Sequence, residues 1–166
     1  MTDSAPPSLP QLIQAEAAFM QSGLSLIAAS RNAQNHPSSA LVLACRILEQ
    51  GQQINIVVRP SQCPEFLRDV REQGVVAFAC SQVGTHRSLQ IKSRRAKVGV
   101  IDAGDIGEIV GQTSAFIESV VSFDHIPEAV MRAYTHFELH DLAVISFRPD
   151  EIYTQTPGPN AGAKIA

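Results

Sequence analysis

One stretch of this chain, residues 24–100, constrains the fold most, because short apolar runs alternate there with turn residues around a single helical segment. This order predicts a small antiparallel sheet with one inserted helix. The predicted strands lie at residues 24–30, 39–48, 54–58, 75–80 and 88–100, and the predicted helix at residues 60–71.

The predicted strand at residues 39–48 is apolar on both faces. Leu41 and Leu43 point to one side, while Val42 and Ala44 point to the other. A strand of this kind is covered on both sides, which predicts a barrel wall with a helix or a partner subunit outside it.

The predicted strand at residues 88–100 changes its parity. Leu89 and Ile91 are apolar at odd positions, whereas Ala96 and Val98 are apolar at even positions. Because a shift of one residue turns every side chain to the other face, the pattern predicts a bulge or sharp bend near residues 93–95.

Helical periodicity flanks this sheet pattern. Apolar residues at helical spacing predict helices over residues 9–20 and 105–121, and Pro127 suits the first position of another helix that continues to Phe137. Residues 142–147 form a last predicted strand. The prediction is therefore a mainly β protein with helices, of the α+β class.

Composition divides the chain into three parts. Residues 1–8 are rich in proline and serine, which predicts a disordered N-terminus. Residues 9–153 form one domain, long enough to bury about 70% of its unfolded surface. Residues 154–166 contain the run QTPGPNAG, which predicts an extended C-terminal tail.

The charge pattern excludes some partner classes. A net charge of −3 argues against a general nucleic-acid binder. The basic cluster at residues 92–97 instead suits a solvated strand face or a contact to a ligand phosphate. The chain shows no secretory signal and no apolar run that approaches the ~18 residues needed to cross a membrane. We expect neither nucleic acid nor membrane as a partner.

Three cysteines, Cys45, Cys63 and Cys80, lack the CxxC spacing of redox and metal motifs. Cys45 and Cys80 lie inside strand patterns, where a reduced thiol in the core is the usual arrangement. We therefore expect a cytoplasmic protein.

Motifs for a nucleophile elbow, a phosphate loop and a dinucleotide fingerprint are missing from the sequence. His136 and His140 are four residues apart, as metal ligands on one helix face are. No third ligand follows them, and the predicted helix ends near Phe137, so surface or capping histidines are favoured. The sequence predicts no metal site and assigns no catalytic residue.

A polar row lies on the predicted strand at residues 88–100. Ser88, Gln90 and Lys92 share one side of this strand. A hydroxyl, an amide and an ammonium in one row can bond the polar edge of a ring or hold a phosphate. The alternative is a strand face that meets water, and both interpretations stay open at this point.

Several motifs resemble the pyridoxamine 5'-phosphate oxidase-like, FMN-binding split-barrel family. They are AAS at 28–30, HPSS at 36–39, VVRPSQ at 57–62, GVVAF at 74–78 and LQIKSRRAKV at 89–98, with SFRP at 146–149 and QTPGPNAG at 155–162. The resemblance implies a six-stranded antiparallel split barrel with flanking helices, a homodimer, and two FMN sites at the subunit interface.

The resemblance also implies where FMN is held. The phosphate is expected at the second strand and the start of the inserted helix. The predicted cofactor-binding residues are Ser38, Ser39, Arg59, Ser61 and Gln62 in one part of the site, and Arg87, Ser88, Gln90 and Lys92 in the other.

This chain departs from the family pattern at the helix start. Cys63, Pro64 and Phe66 stand where polar groups are usual, and Glu65 occupies a position that is often basic. A carboxylate near a phosphate opposes binding by about 1 to 4 kcal/mol, depending on solvent exposure. Either the phosphate is gripped differently, or the flavin site is weakened or reassigned.

The leading functional prediction is a homodimeric, FMN-binding, flavin-dependent oxidoreductase, whose substrate the sequence does not specify. Because a flavin ring performs its own redox chemistry, no acid–base residue is required. The alternative is a non-enzymatic or degenerate binding module on the same fold, which holds flavin, haem or no cofactor. A third possibility is a metal-dependent enzyme that uses His136 and His140.

Overall fold

The computed structural model describes residues 7–166, so most of the predicted disordered segment, residues 1–8, lies outside the described residues. The described chain forms five α-helices and eight β-strands. The helices are α1 (Leu9–Ala15), α2 (Ala17–Met20), α3 (Pro64–Gln73), α4 (Ala103–Asp124) and α5 (Glu128–Thr135). The strands are β1 (Ser25–Arg31), β2 (Pro37–Leu48), β3 (Gln53–Val58), β4 (Val76–Ser81), β5 (Ser88–Ser93), β6 (Lys97–Gly99), β7 (Ala143–Phe147) and β8 (Glu151–Thr154).

The eight strands form one antiparallel sheet in the order β6-β7-β3-β2-β1-β4-β5-β8. The structure has eight strands where the resemblance implied six, for two reasons. The long predicted strand divides into β5 and β6, and the chain after Pro149 adds β8 at the edge. Because only residues 94–96 separate β5 from β6, which lie near opposite ends of the order, the sheet curls until those ends approach each other.

The predicted bend near residues 93–95 is confirmed, and the structure shows what holds it. The Asp150 carboxylate accepts the Arg94 N–H at 2.7 Å and forms an ion pair with the Arg95 guanidinium. The Ser93 hydroxyl accepts the Arg95 N–H at 3.1 Å. The bend is therefore stabilised by groups on the bend itself and on the chain just before β8.

Strand β2 serves two partners in succession. Its first half pairs with β1 and its second half with β3, and the register shifts between Val42 and Ala44. Past the shift, side chains replace β1 as the partner. Gln112 of α4 bonds both the N–H of Cys45, at 3.0 Å, and its carbonyl, at 2.7 Å, and Gln21 accepts the Ile47 N–H at 2.7 Å.

The core lies on the inner side of the curled sheet, where Phe66, Phe78 and Phe147 are fully buried. A second, smaller cluster lies outside the sheet, where Ile109 of α4 packs on Leu43 and its neighbours. The expected two-sided burial of the second strand is thus confirmed, and the element that covers it is helix α4.

Some boundaries differ from the predicted ones for local reasons. Pro60–Gln62 form a 3-10 turn, so the inserted helix begins at Pro64. Pro127 is the N-cap of α5, one residue before the helix. The tail predicted to be extended turns at residues 156–162 and returns along β8, where the Thr154 N–H donates to the Ala163 carbonyl at 3.0 Å. Among residues 7–166, no helix has the length and apolar character to cross a membrane.

The bidentate contact of Gln112 makes a prediction about stability. Gln112→Ala leaves two buried backbone groups of Cys45 without their partner, so the free energy of unfolding falls by about 2 to 4 kcal/mol. Urea unfolding measures the loss. Gln34→Ala is the matched control, because Gln34 is exposed in the β1–β2 turn, and it changes the free energy by no more than about 0.5 kcal/mol. Equal effects of the two variants contradict the prediction.

Candidate functional site

One side chain from each of five strands forms a row across the outer face of the sheet. The register aligns Ser39, Ala29, Ala77, Lys92 and Glu151 in that order. Neighbouring strands lie about 4.8 Å apart, so the row is about 19 Å long. Most side chains on the opposite, inner side of these strands are buried, whereas these five residues are half-buried or exposed.

A second row lies beside the first and has a more apolar centre. Ile27, the second residue of this row, is 49% exposed, which is unusual for a large apolar side chain in a central strand. Ala79 next to it adds another small side chain to the face. The whole second row is Leu41, Ile27, Ala79, Gln90 and Tyr153.

Two cavities open at the end of this face where β1 turns into β2. The larger has a volume of about 510 Å³ and is lined by Ala77 and Lys92 among others, and the second, of about 490 Å³, is lined by Ser39. Both touch Ala29 and Pro37, so they adjoin. Each has the size of a small-molecule site.

Cations surround the larger cavity. Arg31, Lys92 and Arg94 line it, and within residues 7–166 none of the three is within ion-pair distance of a carboxylate. The Lys92 ammonium lies 4.6 Å from the centre of the Tyr153 ring, which holds it by a cation–π contact. The Arg31 guanidinium donates to the neighbouring Asn32 carbonyl at 3.3 Å.

Two carboxylates line the same cavity, and each already has a donor. Burial raises the pKa of Asp150, but the bonds from the Arg94 N–H and the Arg95 side chain outweigh it, and the net shift is downward. The Tyr153 hydroxyl donates to Glu151 at 2.6 Å, which lowers the pKa of Glu151 and raises that of Tyr153. Both acids are therefore ionised at neutral pH.

The structure brings together some of the residues predicted to bind the cofactor. Ser38, Ser39 and Gln62 line the second cavity, and Lys92 lines the larger one. Gln90 lies on the outer face between Ala79 and Tyr153. The Ser38 hydroxyl also donates to Asp69 of α3 at 2.6 Å, which fixes its orientation.

Other predicted site residues are engaged elsewhere. Arg87 forms an ion pair with Glu16 and stacks 3.9 Å from the centre of the Phe19 ring. Ser88 is buried, its hydroxyl donates to the His86 carbonyl, and its N–H donates to Thr156 of the tail. These contacts direct both side chains away from the two cavities.

The β3–α3 junction, residues 59–64, binds to the chain's own groups. The buried Arg59 guanidinium donates to the His136 carbonyl at 2.6 Å and to the Tyr134 carbonyl at 3.1 Å, and burial lowers its pKa. Asp141 accepts the Ser61 N–H at 2.9 Å and also the Ser61 hydroxyl. The Ser61 hydroxyl and N–H hold the pKa of Asp141 below its usual range.

Sequence reasoning missed several residues of the larger cavity. Arg31 was available from strand parity, because it follows Ile27 and Ala29 on the outward side of β1. Asp150 and Glu151 were missed because β8 was not predicted as a strand. The chemical types alone gave no signal, since isolated acidic residues after a proline are typical of turns.

The comparisons with known proteins give a structural answer only. No model of a protein family matches the chain, and no curated protein matches it. A protein from Clostridium acetobutylicum, related to general stress protein 26 of B. subtilis and assigned to the pyridoxinephosphate oxidase family, aligns over 96% of this chain and 97% of its own, with 10% identity and a TM-score of 0.50. The chain has the pyridoxinephosphate oxidase fold.

A second solved structure aligns with the chain to a similar extent. HupZ of Group A Streptococcus aligns over 90% of this chain and 98% of its own, with 13% identity and a TM-score of 0.51. The resemblance found in the sequence is therefore confirmed at the level of the fold. Identities of 10% and 13% carry no information about ligand or reaction.

The pyridoxinephosphate oxidase fold raises the question whether the junction fits an FMN phosphate, and it does not. Asp141 already accepts from both donors of Ser61, and Glu65 lines the neighbouring cavity. The Arg59 guanidinium is bound to the carbonyls of Tyr134 and His136, and Pro64 has no N–H to offer. A phosphate placed there meets carboxylates where it needs donors.

The three cysteines give no sign of reactivity. All are buried free thiols, and burial raises the pKa of Cys63 to about 11 and of Cys80 to about 12, with the pKa of Cys45 also well above its usual value. Cys63 lines the second cavity, but its thiol donates to the Arg59 carbonyl at 3.2 Å.

We expect thiol reagents to leave the native protein unmodified. At pH 8 a thiol with a pKa of about 11 is about one-thousandth ionised, so a chromogenic disulfide reagent reacts far more slowly with the native chain than with the denatured chain. In denaturant, all three thiols react within minutes. Rapid modification of one native thiol, mapped to Cys63 by mass spectrometry, contradicts the buried position described above.

Proposed function

We propose that this protein binds a flavin nucleotide, or another planar ligand of similar size, on the outer face of its sheet. The observation that supports the proposal is the pair of adjoining cavities, about 510 and 490 Å³, which share Ala29 and Pro37. Together they follow a row about 19 Å long, which suits an elongated ligand better than a compact one.

The side chains of this face suit a planar ring. Ala29, Ala77 and Ala79 are small, so a flat ligand approaches the sheet closely over the two adjacent strands β1 and β4. Ser39 and Gln90 provide a hydroxyl and an amide at the sides for the polar edge of a ring. A bound flavin would supply redox chemistry, and the chain would supply orientation and hydrogen bonds.

We further propose that the eight strands correspond to a six-stranded split barrel. In this interpretation β5 and β6 are one strand bent at residues 94–96, and β8 is an addition at its edge. The sheet order supports it, because the bent strand then neighbours both β4 and β7 and closes the barrel.

A second copy of the chain is the proposed cover for the outer face. Ile27 on this face is 49% exposed, and Leu41 beside it is half-buried. A homodimer that is closed through this face removes that apolar surface from water and encloses the two cavities.

We also propose that the protein is cytoplasmic, because its three free thiols fit a reducing compartment.

A flavin-dependent oxidoreductase is the activity that follows if flavin binds. The β3–α3 junction favours the second candidate, a non-enzymatic binding module on the same fold, because Asp141 and Glu65 lie where the resemblance implies a phosphate. In the spectrum of the purified protein, flavin absorbance favours the first candidate, and haem absorbance or a colourless protein favours the second.

A larger side chain in the lining of the larger cavity tests the location of the ligand site. We expect FMN to bind at micromolar concentration, with quenching of flavin fluorescence, and Ala77→Leu to weaken binding at least about tenfold, because the larger side chain occupies the larger cavity. Ala133→Leu, on the exposed side of α5, is the control and binds like the parent protein. A parent protein that binds no flavin refutes the flavin proposal, and an Ala77→Leu variant with unchanged affinity refutes the location.

Light scattering coupled to gel filtration tests the second copy. We expect a mass of twice the 17.9 kDa chain, and a single-chain mass for Ile27→Glu, because a carboxylate at the centre of an apolar interface loses its water. Val130→Glu changes an equally exposed apolar residue on α5 and leaves the dimer intact. A parent protein with the mass of one chain shows that the dimer proposal is wrong.

A further inference from the structure

We propose that the larger cavity is an anion site that takes a phosphate monoester, bound by Lys92, Arg94 and Arg31. This site lies at the opposite end of the row from the β3–α3 junction, where the resemblance implies a phosphate. The site itself stands on the geometry below, whereas its use for the phosphate of a flavin nucleotide rests on the proposed function.

The first argument is the distribution of ion pairs. Six of the ten arginines are in ion pairs with a carboxylate of the described chain, whereas Arg31 and Arg94 of the larger cavity are not, and neither is Lys92. The paired arginines are Arg46, Arg68, Arg87, Arg95, Arg132 and Arg148. Against the two ionised carboxylates of the same lining, these three cations leave an excess of one positive charge around one concave surface, which attracts a compact anion.

The second argument is that the acids of the cavity are already bound. The carboxylate of Asp150 accepts from the Arg94 N–H at 2.7 Å and pairs with Arg95, which lies outside the cavity lining. Glu151 accepts from the Tyr153 hydroxyl at 2.6 Å. Neither carboxylate forms an ion pair with a cation of the cavity lining, so those ammonium and guanidinium groups remain available to a ligand.

The third argument is the polarity of the face. Glu65 lines the second cavity, and Asp141 binds Ser61 next to it, so that end of the face is acidic. At the other end the three cations of the larger cavity outnumber its two carboxylates. A ligand with one anionic end and one neutral end therefore lies with its charge at the Lys92 end and its neutral end near Ser39 and Gln62.

Lys92 is also held in place. Its ammonium lies 4.6 Å from the centre of the Tyr153 ring, and the hydroxyl of that ring is anchored on Glu151. A cation with a fixed position loses less conformational freedom when it binds an anion than a freely moving lysine does. Tyr153 is thus a positioning residue for the proposed site.

The test compares FMN with riboflavin, which lacks the phosphate, and uses inorganic phosphate as a third probe. We expect the parent protein to bind FMN at least about tenfold more tightly than riboflavin, and Lys92→Gln and Arg94→Gln each to remove most of that preference. Titration calorimetry gives the affinities, and phosphorus NMR line broadening reports binding of inorganic phosphate without any flavin.

Arg71→Gln is the matched control, because Arg71 is an exposed arginine on α3 outside the lining of both cavities. Circular dichroism confirms that each variant folds. If FMN binds but Lys92→Gln and Arg94→Gln change its affinity no more than Arg71→Gln does, the anion site is refuted and the proposed function stands. If no flavin binds but phosphate does, in a manner lost in Lys92→Gln, the anion site stands and the proposed function is refuted. If neither FMN nor phosphate binds, both are refuted.

Discussion

The transfer of β2 from one partner strand to another is the constraint on which the rest of the structure depends. A strand that leaves β1 at Val42 and continues with β3 turns the sheet, and it exposes backbone groups on the side that β1 no longer covers. Buried N–H and carbonyl groups without a partner are costly, so the turn persists only if side chains satisfy them. Gln112 does this at Cys45, and Gln21 does it at Ile47. The two hydrogen bonds between Gln112 and Cys45 also anchor helix α4 against the outer side of β2.

At the other corner of the sheet, between β5 and β6, a side chain also satisfies a backbone group, and here it is a carboxylate and not an amide. At residues 94–96 the chain bends between β5 and β6, and the carboxylate of Asp150 accepts the N–H of Arg94. Because Asp150 immediately precedes β8, the group that holds the bend also positions Glu151 and Tyr153 on the outer face. The geometry of the corner and the composition of the larger cavity are therefore set by one short segment.

Strand parity and turn residues were enough to predict most of this fold. The change of parity after Ile91 located the bend, and apolar residues on both faces of residues 39–48 indicated that the strand is covered on both sides. What the sequence did not show is which distant groups meet at the corners. Gln112 and Asp150 are ordinary polar residues of a helix and a turn, and only the tertiary fold places them beside unpaired backbone groups. Strand β8 was not predicted for a related reason, since it is short and adjoins a tail whose composition predicts extended chain.

The candidate site, like the fold, was predicted only where the pattern is local in the sequence. Alternation along one strand placed Gln90 and Lys92 on a common side, because period two is a local property of β-structure. The contact between Ser61 and Asp141 joins residues far apart in the sequence, so no local pattern predicts it. The hydroxyl and N–H of Ser61 could donate to an anion, but both are already bound to the Asp141 carboxylate. A fold of this kind fixes where a planar ligand can lie, but it leaves the direction of the ligand open. In this chain the direction of the ligand follows from the placement of charge, with carboxylates at the junction and unpaired cations around Lys92. The ion pairs therefore indicate where an anionic group of the ligand lies, whereas the fold does not.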